Sequence, residues 1–228
     1  MGYIIFRGIR SGTIGLMIEK MPSHKRAEVR QTEYEIPGRD GALHVVEGYA
    51  AFDMQATVFM MNADASLRQT VNAWADGTGE LILSDDLTKC YKASVWKEVT
   101  YTRRKYGEKY YDTAKITFRC QPFVYETVKS VYTFTQNSAI VNLGNIPSLP
   151  LIKVTGQGDC SFSIGGQSVT LYGVTGEVIL DCEAGYAYSG NSAVTMSGSF
   201  PEIGLNDSAV TLGANVTKLE IQGNWRWL

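Results

Sequence analysis

The sequence predicts a mainly β protein: a β-sandwich-like N-terminal part with one helix and an extended arm, followed by an antiparallel β-sandwich. Short segments rich in β-branched and aromatic residues recur along all 228 residues. Only one stretch shows the apolar spacing of an amphipathic helix. Residues 131–228 are rich in Gly, Ser, Thr, Val and Asn, with a turn signal about every ten residues, which is typical of an antiparallel sandwich.

The first strands are predicted at Tyr3–Phe6 and Thr13–Ile18. The densely charged segment Glu19–Asp40 follows, and it is too polar for a core strand, so we expect a long extended arm that ends at a Pro37-Gly38 turn. A long strand is then predicted over Tyr49–Met61. Its apolar residues alternate onto one face, namely Phe52, Met54, Ala56, Val58 and Met60.

The predicted helix follows this strand. Asp64 is placed to cap its N-terminus, and Leu67, Val71 and Trp74 form one apolar stripe that faces the core. Gly77 is placed to end it. Further strands are predicted at Glu80–Leu83, Tyr91–Val99 and Ala114–Arg119.

Residues 101–111 interleave basic and aromatic side chains around Gly107, which predicts a hairpin tip. Such a pattern binds single-stranded nucleic acid in some proteins. The overall acidity favours the other interpretation, a hairpin that contacts a protein partner. The residues assigned to that contact are Arg103, Arg104, Tyr106 and Lys109.

The composition changes after residue 130, which predicts a boundary near Lys129 and two domains, 1–130 and 131–228. The first part holds 18 of the 21 Lys and Arg and 16 of the 23 Asp and Glu. The net charge of the chain is −2, so it does not have the basic character of a dedicated nucleic-acid binder. No apolar run is long enough for a transmembrane helix, and the N-terminus lacks the pattern of a secretory signal.

The sequence offers no catalytic, metal-binding or cofactor-binding constellation. The four cysteines lie far apart in sequence and are expected to be buried thiols, and His24 and His44 are the only histidines. No phosphate-binding glycine motif or nucleophile elbow occurs. Asp85-Asp86 is predicted at a turn, and Asp181 and Glu183 are predicted on one strand face, about 6–7 Å apart, a separation that also occurs between glycosidase carboxylates.

A charged arm that does not pack loses chain entropy when ordered and gains nothing in return. We therefore weigh packing on a neighbouring identical subunit against a mobile, solvated loop. The residues assigned to the inter-subunit contact are Lys25, Arg26, Arg30, Glu33, Glu35, Arg39 and Asp40. For Arg39, an acid of the neighbouring subunit and a local contact to Asp40 or Glu35 stay open.

Several segments together resemble the distal tail protein family of siphophages, often called Dit, and the resemblance covers nearly the whole chain. The arm ends in a Pro-Gly-Arg-Asp-Gly turn, and the helix is followed by a glycine turn, a strand and an aspartate turn, as in that family. The segments that carry the resemblance are Ile36–Gly41, residues 77–95, Phe118–Phe123, residues 142–158 and residues 198–227.

The resemblance implies a ring of about six copies, in which the arm of each N-terminal domain wraps its neighbour, and a galectin-like C-terminal β-sandwich on the outside. Such a ring would be a structural, non-enzymatic hub of the virion, made in the bacterial cytoplasm. Its implied partners are itself, the tail tube protein, the tail tip protein and receptor-binding proteins, with DNA only in transit and no membrane insertion. The near-neutral charge of residues 1–130 is compatible with a lumen that lets DNA pass.

The competing interpretation is a lectin-like adhesion module that recognises host glycans through residues 131–228. Sugar sites need aromatic platforms beside polar groups. The aromatic candidates are Tyr172, Tyr186, Tyr188, Trp225 and Trp227, although a buried C-terminal strand explains the two tryptophans equally.

Overall fold

The computed structural model describes residues 2–228. The chain forms two compact units, one up to Thr127 and one over Val128–Trp227. Both units consist mainly of antiparallel strands, so the predicted mainly β fold class is confirmed. The single α-helix of the described residues lies in the first unit.

The first unit contains a large antiparallel sheet with the helix packed on it and a separate two-stranded sheet. The elements are β1 Ile4–Phe6, β2 Ile9–Arg10, β3 Met17–Lys20, β4 Val29–Glu35, β5 Ala42–Tyr49, β6 Phe52–Met61, α1 Ala65–Ala75, β7 Gly77–Leu83, β8 Asp86–Val95, β9 Tyr101–Tyr106 and β10 Lys109–Glu126. Along the large sheet the strand order is β2, β1, β7, β8, β10, β6, β3, and β9 pairs with the first part of β10. Strands β4 and β5 form the separate sheet.

The core of the first unit lies between the helix and one face of the sheet. Phe6, Trp74 and Phe118 meet edge to face, with ring centroids 5.3–6.2 Å apart. This is the geometry that aromatic quadrupoles favour. The Trp74 indole N–H donates to the Ile9 carbonyl at 3.0 Å, so the one polar atom of this side chain is satisfied. The predicted apolar stripe of the helix is therefore a core face.

Several boundaries differ from the prediction. Residues Ser11–Ile14 form a 3₁₀ turn that ends at Gly15 with φ +74°, and β3 begins only at Met17. Strand β6 begins at Phe52, since Tyr49 belongs to β5. Strand β7 begins at Gly77, and β10 extends over Lys109–Glu126. Strand β8 starts at the aspartate turn and runs from Asp86 to Val95.

The second unit contains a second core and consists of strands with no helix among its described residues. Its strands are β11 Val131–Phe134, β12 Ser138–Ile140, β13 Leu151–Ile164, β14 Gln167–Asp181, β15 Tyr186–Ser189, β16 Ser192–Ala193, β17 Met196–Gly198, β18 Ser208–Leu212, β19 Val216–Gln222 and β20 Arg226–Trp227.

The long hairpin β13–β14 lies at the centre of the sheet of this unit. It turns at Gly165-Gly166, where both residues have positive φ (+56° and +81°), as the sequence predicted for a glycine turn. A bulge between Gly158 and Cys160 divides β13: its first half pairs with β19 and its second half with β18. Side chains of both halves, among them Ile152 and Phe162, contribute to one core.

Candidate interaction surfaces

The predicted arm is a two-stranded hairpin, the arm hairpin, formed by β4 and β5 and joined by the turn at residues 36–41. Its register pairs Tyr34 with Leu43 and Glu35 with Ala42, and the hairpin continues to Tyr49, beyond the arm expected at Glu19–Asp40. The return strand was missed because Ala42–Tyr49 lacks the dense charge that marked the outgoing one. The Arg39 N–H donates to the Ile36 carbonyl at 3.1 Å and closes the turn.

The two faces of the arm hairpin differ: one exposes a cluster of apolar side chains, and the other carries two glutamates together with the exposed Val46. Residues paired across two strands share a face, so Tyr34, Leu43 and Val45 lie together on one side. They are 53%, 42% and 44% exposed. Glu33 and Glu35 lie on the opposite side with His44. The dense charge of the sequence predicted a polar arm and gave no indication that these apolar side chains lie together.

The root of the arm hairpin is anchored to the rest of the first unit. The Ala50 N–H donates to the Glu28 carbonyl at 2.8 Å, and Ala27 is buried. His24 Nε2 lies 2.6 Å from the Asp85 carboxylate, and this hydrogen bond lowers the pKa of Asp85. Lys25 donates to the Asp53 carbonyl at 2.7 Å, so it holds the root in place.

The remaining predicted arm residues are exposed. Arg26, Arg30, Glu33, Glu35, Arg39 and Asp40 all reach solvent. The Glu33 carboxylate Oε1 lies 4.0 Å from His44 Nε2. Within residues 2–228, no ion pair joins Arg39 to Asp40 or to Glu35, so the local contact considered for Arg39 is not formed.

Residues 101–111 form the predicted hairpin, here called the basic hairpin, with its turn at Gly107 (φ +57°). Arg104, Tyr106 and Lys109 are exposed, and Tyr106 is 83% exposed. In the register, Tyr106 pairs with Lys109, so these two side chains share a face, and Arg104, two residues along β9, lies on that face too.

Arg103 has a structural role that the sequence did not indicate. Its guanidinium donates to Asp112 at 3.0 Å, and Arg68 of α1 contacts the other oxygen of the same carboxylate at 2.6 Å. Asp112 is fully buried. Burial acts to raise its pKa, but the hydrogen bonds from Arg103 and Arg68 outweigh that effect, and the pKa of Asp112 lies below its ordinary value. The cluster fixes the base of the basic hairpin to the helix.

The acidic pairs do not form a catalytic site. Asp86 accepts hydrogen bonds from the N–H and hydroxyl of Thr88, which closes the predicted turn and lowers the pKa of Asp86. The predicted common strand face of Asp181 and Glu183 is wrong. Strand β14 ends at Asp181, whose carboxylate accepts from the Ala184 N–H in the turn that contains Glu183.

The next candidates for reactivity or metal binding are the cysteines and the other residue types that bind metals. The predicted burial of Cys90, Cys120, Cys160 and Cys182 is confirmed, and all four are free thiols. Burial raises the pKa of Cys120 and of Cys182 to about 12, which leaves no thiolate at neutral pH. Within residues 2–228, no group of three His, Cys, Asp or Glu side chains is placed to hold a metal ion.

Open grooves occur on both units. One groove of about 840 Å³ on the first unit is lined by threonines, by Trp96 and by charged side chains such as Lys115. Of the aromatic candidates in the second unit, Trp225 is buried and offers no platform. Tyr186 and Tyr188 stack on each other at 5.2 Å, and Tyr172 hydrogen-bonds Ser197.

The architecture is that of a two-unit, mainly β protein with two exposed hairpins in its first unit. Comparison with known proteins shows which solved structures share this fold. No family model matches the chain, and no curated protein matches it in sequence. The crystal structure of the Dit protein of phage SPP1, described as a paradigm of hub adsorption apparatus in phages infecting Gram-positive bacteria, superposes with a TM-score of 0.74.

That superposition covers 100% of both chains at 13% sequence identity. Two structures of the phage P2 baseplate in its activated conformation, with Ca and with Sr, match more weakly. Their TM-scores are 0.47 and 0.44 at 9% and 8% identity, over 96% and 99% of each chain. The chain therefore has the Dit fold, and the resemblance seen in the sequence is confirmed at the level of the fold. Among the described residues, no helix is long and apolar enough to cross a membrane.

Proposed function

We propose that the chain is a structural protein of a phage tail, a ring-forming hub that joins the tail tube to the tail tip or baseplate and lets DNA pass through its centre. The match of the complete chain to the SPP1 Dit fold carries the proposal. The hub has no enzymatic activity of its own, and it is part of the virion. Its partners are further copies of itself, six in a ring, the tail tube and tip proteins, and receptor-binding proteins.

The arm hairpin supports ring formation. An isolated two-stranded hairpin is marginally stable in water, and this one also exposes the apolar side chains of Tyr34, Leu43 and Val45. Burial of that face against another molecule supplies the missing stabilisation. A contact between two different surfaces of identical copies closes into a ring when the rotation permits.

The test is to remove the arm hairpin without disturbing its root. Residues Arg30–Gly48 are replaced by Asn-Gly, so that the Ala50–Glu28 hydrogen bond and the His24–Asp85 contact are kept. We expect the natural chain to form hollow rings in negative-stain electron microscopy, with a light-scattering mass of several chains. The shortened variant is expected to stay at the mass of one shortened chain, which is below the 25.1 kDa of the natural chain.

Circular dichroism and urea unfolding of the shortened variant serve as the control for folding. If the variant still forms closed rings, the role assigned to the arm hairpin is wrong. If the natural chain shows neither rings nor a mass above one chain at any concentration tested, self-assembly into a hub is contradicted.

A further inference from the structure

Two hairpins of the first unit expose side chains that nothing else in the same chain covers. On the arm hairpin these are Tyr34, Leu43 and Val45, and on the basic hairpin Tyr106 is 83% exposed. Neither hairpin covers the other within one copy. Exposed aromatic and aliphatic residues grouped on one surface mark interaction sites.

The two hairpins carry opposite charge. Residues 29–49 contain four acidic and two basic side chains, whereas residues 101–111 contain four basic and one acidic side chain. Arg103 is already paired with Asp112. Within residues 2–228, no ion pair involves Arg104, Lys109 or Glu35, so these charges are available for a partner.

The chemistry of the two surfaces also matches. Tyr106 stands between Arg104 and Lys109 on one face of the basic hairpin, which places an aromatic side chain among cations. One face of the arm hairpin carries Glu33 and Glu35 and also Val46, an aliphatic side chain that is 64% exposed. A buried aromatic anchor with a charged rim is the usual anatomy of a protein interface. Complementary charge around that anchor selects the partner.

We propose that the arm hairpin of one copy packs on the basic hairpin of the next copy. Tyr106 is covered by Val46 on the acidic face of the arm, and Arg104 and Lys109 pair with Glu33 and Glu35 on that same face. This inference rests on the proposed ring and names the surface that receives the arm. Because each copy contributes one arm hairpin and one basic hairpin, the contact repeats from copy to copy around the ring.

The experiment is a charge exchange on the full chain. One variant carries Glu33→Lys and Glu35→Lys, a second carries Arg104→Glu and Lys109→Glu, and a third carries all four changes. The control carries Glu202→Lys and Asp207→Lys, which match the charge change of the first variant at exposed positions of the second unit. Mass by light scattering and negative-stain images are the readouts.

We expect the first two variants to remain at the mass of one chain while the control forms rings like the natural chain. The fourfold variant should regain rings because its charges are complementary again. An equimolar mixture of the first two variants should also assemble, since each arm then meets a basic hairpin of opposite charge in the other variant.

The inference is overturned if both double variants assemble as well as the control, or if neither the fourfold variant nor the mixture recovers any rings while the arm-shortened chain fails to assemble. In those cases the hub proposal stands and the arm has a different acceptor. A natural chain that never assembles overturns the hub's self-assembly, and this contact with it.

Discussion

At the scale of single residues, one buried carboxylate, that of Asp112, anchors the basic hairpin to the helix. Asp112 is fully buried and still ionised, because Arg68 and Arg103 contact its two oxygens from two different elements. A buried carboxylate is tolerated only when it is paired and hydrogen-bonded. This residue therefore links the helix to the basic hairpin and determines where Arg104, Tyr106 and Lys109 point.

Replacing Asp112 by Asn is expected to lower the free energy of unfolding at pH 7 by about 3 kcal/mol, since two guanidinium groups lose their counter-charge. The pKa of Asp112 is lower in the folded chain than in the unfolded one. Its contribution is therefore complete above the unfolded value of about 4 and is lost as the pH falls through the folded value. Urea unfolding of both proteins between pH 3 and 7 measures the difference.

The difference between the two proteins should shrink as the pH falls below about 4, because the unfolded natural chain then binds a proton at Asp112 that the folded chain does not. A difference that stays constant across this range would show that Asp112 acts through shape and not through charge.

At the scale of elements, local sequence signals set the helix and the tight turns. The Asp64 carboxylate accepts a hydrogen bond from the Leu67 N–H at 2.8 Å, the N-cap that the sequence predicted. The helix ends at Ala75, and Gly77 follows with φ +88°, a conformation that favours glycine. Both ends of the helix are thus determined within a few residues of the chain.

Asp64→Ala is expected to destabilise the first unit by about 1 kcal/mol, because the Leu67 N–H loses its acceptor. Asp64→Ser should restore most of the loss, since a serine hydroxyl caps equally well. Thermal and urea unfolding of the three proteins provide the measurement. Equal stability of the alanine variant and the natural chain would mean that the cap contributes nothing here.

At the scale of the whole molecule, the two units have separate hydrophobic cores. The second core contains Ile152, Phe162, Leu180 and the buried Trp225, all contributed by residues after Val128. A unit of about 100 residues with its own core is large enough to fold by itself.

We expect residues 128–228 to fold as a fragment, with cooperative urea unfolding and a blue-shifted Trp225 emission that moves to longer wavelength on unfolding. Fluorescence and near-ultraviolet circular dichroism test this. A fragment without a cooperative transition would show that its core depends on the first unit.

Short sequence patterns predict the mainly β class, the helix with its cap, the glycine turns and the position of the two hairpin tips. These features depend on neighbouring residues, so local patterns record them. The return strand Ala42–Tyr49, the exposed apolar residues of the arm hairpin and the burial of Asp112 between two arginines emerge only in the folded chain. The first two depend on the pairing of β4 with β5, which sets the faces on which side chains lie. The third joins distant positions, because Arg68 and Asp112 are 44 residues apart and no local pattern encodes such a contact.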